Sequence, residues 1–156
     1  MGEPPVGTVT FLFTDIEGST RLARATGAVW QDVLAVHHDA VAAAIERHGG
    51  YVDAIQGDGF VAGFADARQA VDAALDAQRA LAAAAWPRGI EPPHVRMGVH
   101  TGYVERTGLG YVGLEVHRAA RVGAAAHGGQ ILLVTGARTA LRPSRPRARR
   151  PAAGAA

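Results

Sequence analysis

The chain has 156 residues, enough for one domain with its own hydrophobic core, and no cysteine, which excludes a disulfide scaffold or a thiolate metal site. Its formal charge of +2 is uneven: all 14 acidic residues precede position 142 together with eleven arginines, whereas Arg142, Arg145, Arg147, Arg149 and Arg150 follow. The body therefore carries −3 and the tail +5, which argues against nucleic-acid binding through the folded part and leaves only the tail for it.

No apolar run approaches the length of a membrane span, and the first seven residues, MGEPPVG, lack the pattern of a signal peptide, so the expected location is cytoplasmic. Every basic residue is Arg, and the chain contains no Lys.

The first predicted element is a strand in which Val9, Phe11 and Phe13 alternate with Thr8, Thr10, Leu12 and Thr14. It delivers Asp15 to its C-terminal end. Ile16-Glu17-Gly18-Ser19-Thr20 follows with turn and helix-start chemistry, and a short helix runs from Ser19 or Thr20 to about Gly27. A carboxylate at a strand end, then a Gly and the free N–H groups of a helix start, suits a metal ion and the phosphates it carries. The plainer alternative is an Asp that caps the next helix.

A longer helix carries Trp30, Leu34, His37, Val41 and Ile45 on one stripe and stops at His48-Gly49-Gly50. His37 and His38 are neighbours in sequence and point to different faces, which makes them a poor chelate. Tyr51 to Phe64 reads as a hairpin with Asp58 at its turn. Asp-Gly is a favoured hairpin turn without any chemistry, but beside the first strand Asp58 would join Asp15 at one end of the sheet. Two carboxylates plus phosphate oxygens suit Mg²⁺ or Mn²⁺.

Asp66 caps a third helix, with Ala70, Val71, Ala74, Leu75, Gln78 and Leu81 on its buried side, fading before Pro87. His94 to Thr101 alternates as a strand, Gly102 to Gly113 is a Gly-rich loop or hairpin, Leu114 to Ala126 is a helix bearing His117, Arg118 and Arg121, and Gln130 to Val134 is a short strand. After about Leu141, Arg alternates with Pro and then small residues, so residues 142–156 are expected to be a disordered tail behind a domain of residues 1–141. The element order predicts an α+β fold, a ferredoxin-like antiparallel sheet with helices packed on one face.

Four segments, FLFTDIEGSTRL, HGGYVDAIQGDGFVAGF, VRMGVHTG and GYVGLEVHRAARVGAAAHGGQILL, together resemble the catalytic domain of class III adenylate/guanylate cyclases of the actinobacterial kind, in order from about Thr8 to Val134. The resemblance implies a head-to-tail dimer, a homodimer or a heterodimer with another cyclase domain, whose active sites are shared across the interface. It implies two Mg²⁺ or Mn²⁺ ions held by Asp15 and Asp58 with the Ile16 carbonyl, and phosphate oxygens cradled by N–H groups of Glu17, Gly18, Ser19 and Thr20. Arg121 matches the arginine that neutralises the α-phosphate as ATP, or GTP, is cyclised with release of pyrophosphate.

Three positions depart from the family pattern. Ala54 stands where a base-reading Lys is usual, Gly110 where its Asp partner is usual, and His117 where an asparagine orients the ribose. Gln56, Tyr51 or Thr107 could read a base instead, and His117 can still donate one hydrogen bond. The family's final charged hairpin is also absent, so the Arg/Pro/Ala ending reads as a truncation or a shifted reading frame. These departures keep a second reading open, in which the domain has lost turnover and serves as a nucleotide-binding or dimerising regulatory module.

Overall fold

The computed structural model describes residues 2–134, and both the expected boundary at 141 and the Arg/Pro tail lie outside them. Strand β1 (Gly7–Ile16) leads to helix α1 (Ser19–Thr26), a single 3₁₀ turn and helix α2 (Trp30–Arg47). A hairpin of β2 (Tyr51–Gln56) and β3 (Gly59–Phe64) precedes α3 (Ala67–Ala83), β4 (Val95–Thr107), β5 (Gly110–Val112), α4 (Leu114–Ala125) and β6 (Ile131–Leu133). This is the expected element order. The Asp66 carboxylate caps α3 by accepting from the N–H groups of Arg68 and Gln69.

The sheet runs β2-β3-β1-β4-β5, with β6 also paired to β4. β1 is central, antiparallel to β3 on one side and to β4 on the other. The expected antiparallel α+β sheet is therefore present. One strand differs from that expectation, since β6 runs parallel to β4. Its direction follows from the crossover that α4 makes between them.

Period-two alternation along β1 splits its side chains between two cores. Leu12 and Ile16 point with Phe60, Ala62, Phe64, Met97 and Val99 toward α2 and α3, which bury Val41, Ile45 and the alanines of α3 against them. Val9 and Phe11 point the other way, toward Val104, Tyr111 and Ala119 of α4. Helices thus cover both faces of the sheet rather than one. Small residues allow α4 to come close: a Cβ on Gly98 would lie 2.3 Å from the backbone nitrogen of Gly123. Any side chain there would have to lift the helix. Leu75, placed on the buried side by its spacing in α3, is instead among the exposed apolar residues, because Ala73, Ala74 and Ala77 form the contact stripe.

The β4–β5 hairpin folds back over the α4 face of the sheet. Tyr111 packs edge-on against Phe11 with ring centroids 5.0 Å apart, and its hydroxyl donates to the Pro5 carbonyl at 2.7 Å. Arg106 donates to the Tyr51 hydroxyl at 3.0 Å. The hairpin thereby brings β5 within reach of β2, although they lie at opposite ends of the strand order.

Candidate active site

Asp15 is the last outward-facing residue of β1 on the α4 side, because residues 9, 11, 13 and 15 share one face. Asp58 sits in the β2–β3 turn, and β3 pairs directly with β1. The turn folds onto the end of β1, where Asp58 Oδ2 accepts the backbone N–H of Ile16 at 2.6 Å. The expectation that both carboxylates reach one end of the sheet is met in this geometry, since Ile16 adjoins Asp15.

Two histidines clamp that turn from below. Nε2 of His37 donates to the Asp58 carbonyl at 2.8 Å, and Nε2 of His38 to the Gly57 carbonyl at 2.7 Å. His37 is fully buried, and burial above all holds its imidazole below the usual pKa, against a smaller upward push from the Asp58 carbonyl. A neutral ring of this kind keeps one nitrogen protonated as a donor. Each ring is bonded to a different carbonyl, and together they fix the loop that carries Asp58.

Asp15 has a partner that the sequence reading left without a role. Arg96 lies opposite it in the β1–β4 register, and its guanidinium grips the carboxylate with both arms, Nε to Oδ1 at 2.8 Å and Nη2 to Oδ2 at 2.5 Å. The bond to Asp15 holds the guanidinium proton more firmly than usual, and the charges of Glu17 and Asp58 add to this. Arg96 therefore sits in the joint field of three carboxylates.

Among the described residues, no group of three or more His, Cys, Asp or Glu side chains gathers as a metal cage. Two carboxylates fit a different arrangement, in which the substrate's phosphates complete the shell of a hard cation. Asp15, Asp58 and the Ile16 carbonyl have the right donor chemistry for Mg²⁺ or Mn²⁺. Arg96 is the cation that such an ion would displace or share.

A cavity of about 430 Å³ lies between α1 and the β2–β3 turn, with Ser19, Thr20, Gly57 and Asp58 in its wall. It places the N-terminus of α1 beside the second carboxylate. The N–H of Glu17 is already given to the His94 carbonyl at 2.8 Å, so of the four expected cradle donors those of Gly18, Ser19 and Thr20 remain at the helix start. A second cavity, about 250 Å³, is lined by Phe13, Asp15, Gln56, Ala120 and Ala124 between the sheet and α4.

His117 and Arg121 are one helical turn apart on α4 and both exposed. Neither lines the cavity with Asp15, and neither bonds to Asp15 or Asp58, so a single chain does not gather these residues around the carboxylates. Of the two degenerate positions, Gly110 is brought to the residue that precedes Ala54. The β4–β5 hairpin carries Gly110 to β2, where both carboxylate oxygens of Asp53, next to Ala54, lie 3.0 and 3.3 Å from the point a Cβ on Gly110 would occupy. Of the other candidates for reading a base, Gln56 lines the smaller cavity, Tyr51 receives Arg106, and Thr107 bonds within its own hairpin.

A family model for the adenylate and guanylate cyclase catalytic domain matches residues 1–150. An uncharacterized protein of Mycobacterium tuberculosis is 40% identical over 132 residues, covering 83% of this chain and 44% of that one. The chain therefore spans less than half the length of this curated relative. An adenylate cyclase of Lachancea kluyveri is 31% identical over 154 residues, 83% of this chain and 8% of that one. Among solved structures, an adenylate cyclase of Trypanosoma brucei in its monomeric state superposes with a TM-score of 0.80 at 26% identity, over 90% of this chain and 78% of that one.

Proposed function

The chain belongs to the adenylate and guanylate cyclase catalytic-domain family, and from that premise we propose that it is a nucleotidyl cyclase, converting a purine nucleoside triphosphate to the cyclic nucleotide and pyrophosphate for signalling. ATP is the substrate implied by the resemblance. One observation carries the reading. The hydrogen bond from Ile16 N–H to Asp58 holds the second carboxylate at the end of β1 that carries Asp15, in the wall of the same cavity as the start of α1.

Asp15, Asp58 and the Ile16 carbonyl would hold the divalent ions, two per site in this reading. Bound there, such ions acidify the ribose 3′-hydroxyl and offset the charge of the triphosphate. The chain's own groups do the rest. Gly18, Ser19 and Thr20 offer N–H groups and the positive end of α1 to the phosphate oxygens. The 3′-oxygen bonds to the α-phosphorus, the bond from that phosphorus to the bridging oxygen breaks, and the hydroxyl proton passes to solvent.

Arg121 neutralises charge that builds on the α-phosphate, a role in which one group contributes on the order of 10³-fold in rate. Because Arg121 is exposed and does not line the cavity that holds Asp15, this role is assigned to a dimer in which each site takes its arginine from the partner. His117 can position the ribose through one hydrogen bond. No helix among the described residues is long and apolar enough to cross a membrane.

The test is pyrophosphate release with Mn²⁺ and ATP or GTP, comparing the chain with Asp15→Ala and Arg121→Ala. Turnover that falls at least about a hundredfold in both supports the cyclase reading. Mn²⁺-dependent nucleotide binding without pyrophosphate release would replace it by the regulatory binding module, which the departures at Ala54, Gly110 and His117 favour.

A further inference from the structure

Gly110 and Asp53 form a complementary pair. Gly110 has φ +104°, a conformation that residues with side chains rarely adopt, and a Cβ there would press on the Asp53 carboxylate at 3.0 Å. Asp53 shares a face of β2 with Tyr51, which receives Arg106 of the β4–β5 hairpin, and so points toward the same hairpin. It is half-buried, and among the described residues it accepts no hydrogen bond. Neighbouring groups feel its charge: burial first, and Asp53 next, push the Tyr111 phenol up to about 12.

We propose that Asp53 is the base-selecting residue of this domain, its carboxylate occupying the space vacated at Gly110 and reading the Watson–Crick edge of guanine. The proposal rests on the cyclase reading, which puts the purine at positions 54 and 110, and it makes GTP rather than ATP the preferred substrate. An ionised carboxylate only accepts hydrogen bonds. Guanine presents two adjacent donors, N1–H and the 2-amino group, which match its two oxygens. Adenine presents one donor, the 6-amino group, beside the N1 lone pair, which the carboxylate repels. With no Lys in the chain and Ala at position 54, no cationic side chain at that position offsets the repulsion. A two-point match of this kind discriminates by about tenfold or more.

Substitution Asp53→Asn gives a readout that misfolding cannot imitate. The amide keeps the size of the side chain but offers one acceptor and one donor, the pattern that suits adenine. Binding of GTP and of ATP, each with Mn²⁺, is measured by calorimetry on the full chain and the variant, with pyrophosphate release followed in parallel. The expected result is a GTP preference of about tenfold in the parent chain that disappears or reverses in the variant. An equal ratio in both proteins overturns the role of Asp53, as does a parent chain that prefers ATP or binds neither nucleotide. Selective GTP binding without pyrophosphate release leaves the assignment of Asp53 standing and overturns the cyclase reading alone.

Discussion

Asp15 and Arg96 face each other across the β1–β4 register, so the carboxylate that is to hold a cation already has one. Both side chains remain partly exposed, at 26% for Arg96 and 37% for Asp15, so water weakens the pair, yet its two-armed geometry is the stronger kind. Removing the guanidinium frees Asp15. Replacing Arg96 with Met should therefore tighten binding of Mn²⁺ alone by about tenfold, the low end of the range for charge-assisted bonds. Titration calorimetry without nucleotide measures it, and an unchanged affinity would mean that Arg96 does not compete for the site. Asp15 and Asp58 were legible in the sequence because strand ends and Asp-Gly turns are local signals. Arg96 was not, although the alternation of HVRMGVHT put it on the correct strand. Its partner depends on which residue of β1 stands opposite, a register that no local pattern encodes. Asp53 was missed for a related reason, since its neighbour Gly110 arrives on a hairpin from the far end of the strand order, a contact that no local pattern encodes.

At the scale of elements, α4 decides where His117 and Arg121 stand. Its first turn is tied to the sheet by Glu115, which receives His100 Nε2 at 2.5 Å and Arg118 at 2.6 Å and lies over Gly102. The bond from His100 is the main cause that holds the Glu115 carboxyl below its ordinary value of 4.5, with Arg118 helping. A carboxyl whose folded pKa is depressed stabilises the fold above its unfolded value, and that contribution fades as the pH falls through the folded value. Glu115→Gln keeps the shape and an acceptor but not the charge. The parent chain should thus have the higher Tm at pH 6, and the gap should close as the pH falls below the ordinary carboxyl value of 4.5. Thermal unfolding followed from pH 6 into the acid range checks it, and a gap that does not close there would assign the stabilisation to packing. The length and order of α4 were readable from its periodicity and the Gly-Gly that ends it. Its position on the opposite face from α2 and α3 was not, because amphipathicity shows that a helix has a buried side and not which side of the sheet it covers.

Across the whole molecule, the chain divides the proposed chemistry between two places: carboxylates and phosphate cradle at one end of β1, and His117 with Arg121 on the outer side of α4. A head-to-tail pair of such chains would form two equivalent composite sites. That symmetry permits a test that a self-contained site cannot pass. Asp15→Ala and Arg121→Ala chains, each inactive alone, should regain turnover when mixed, because one of the two sites in every mixed dimer has an intact carboxylate pair and an intact arginine. Random exchange makes about half of the dimers mixed, so roughly a quarter of the parent rate is expected per chain. Pyrophosphate release from the mixture, with sedimentation to establish that dimers are present, provides the measurement. Dimers that form but stay inactive on mixing would mean that Asp15 and Arg121 of one chain serve the same site, and would overturn the shared arrangement.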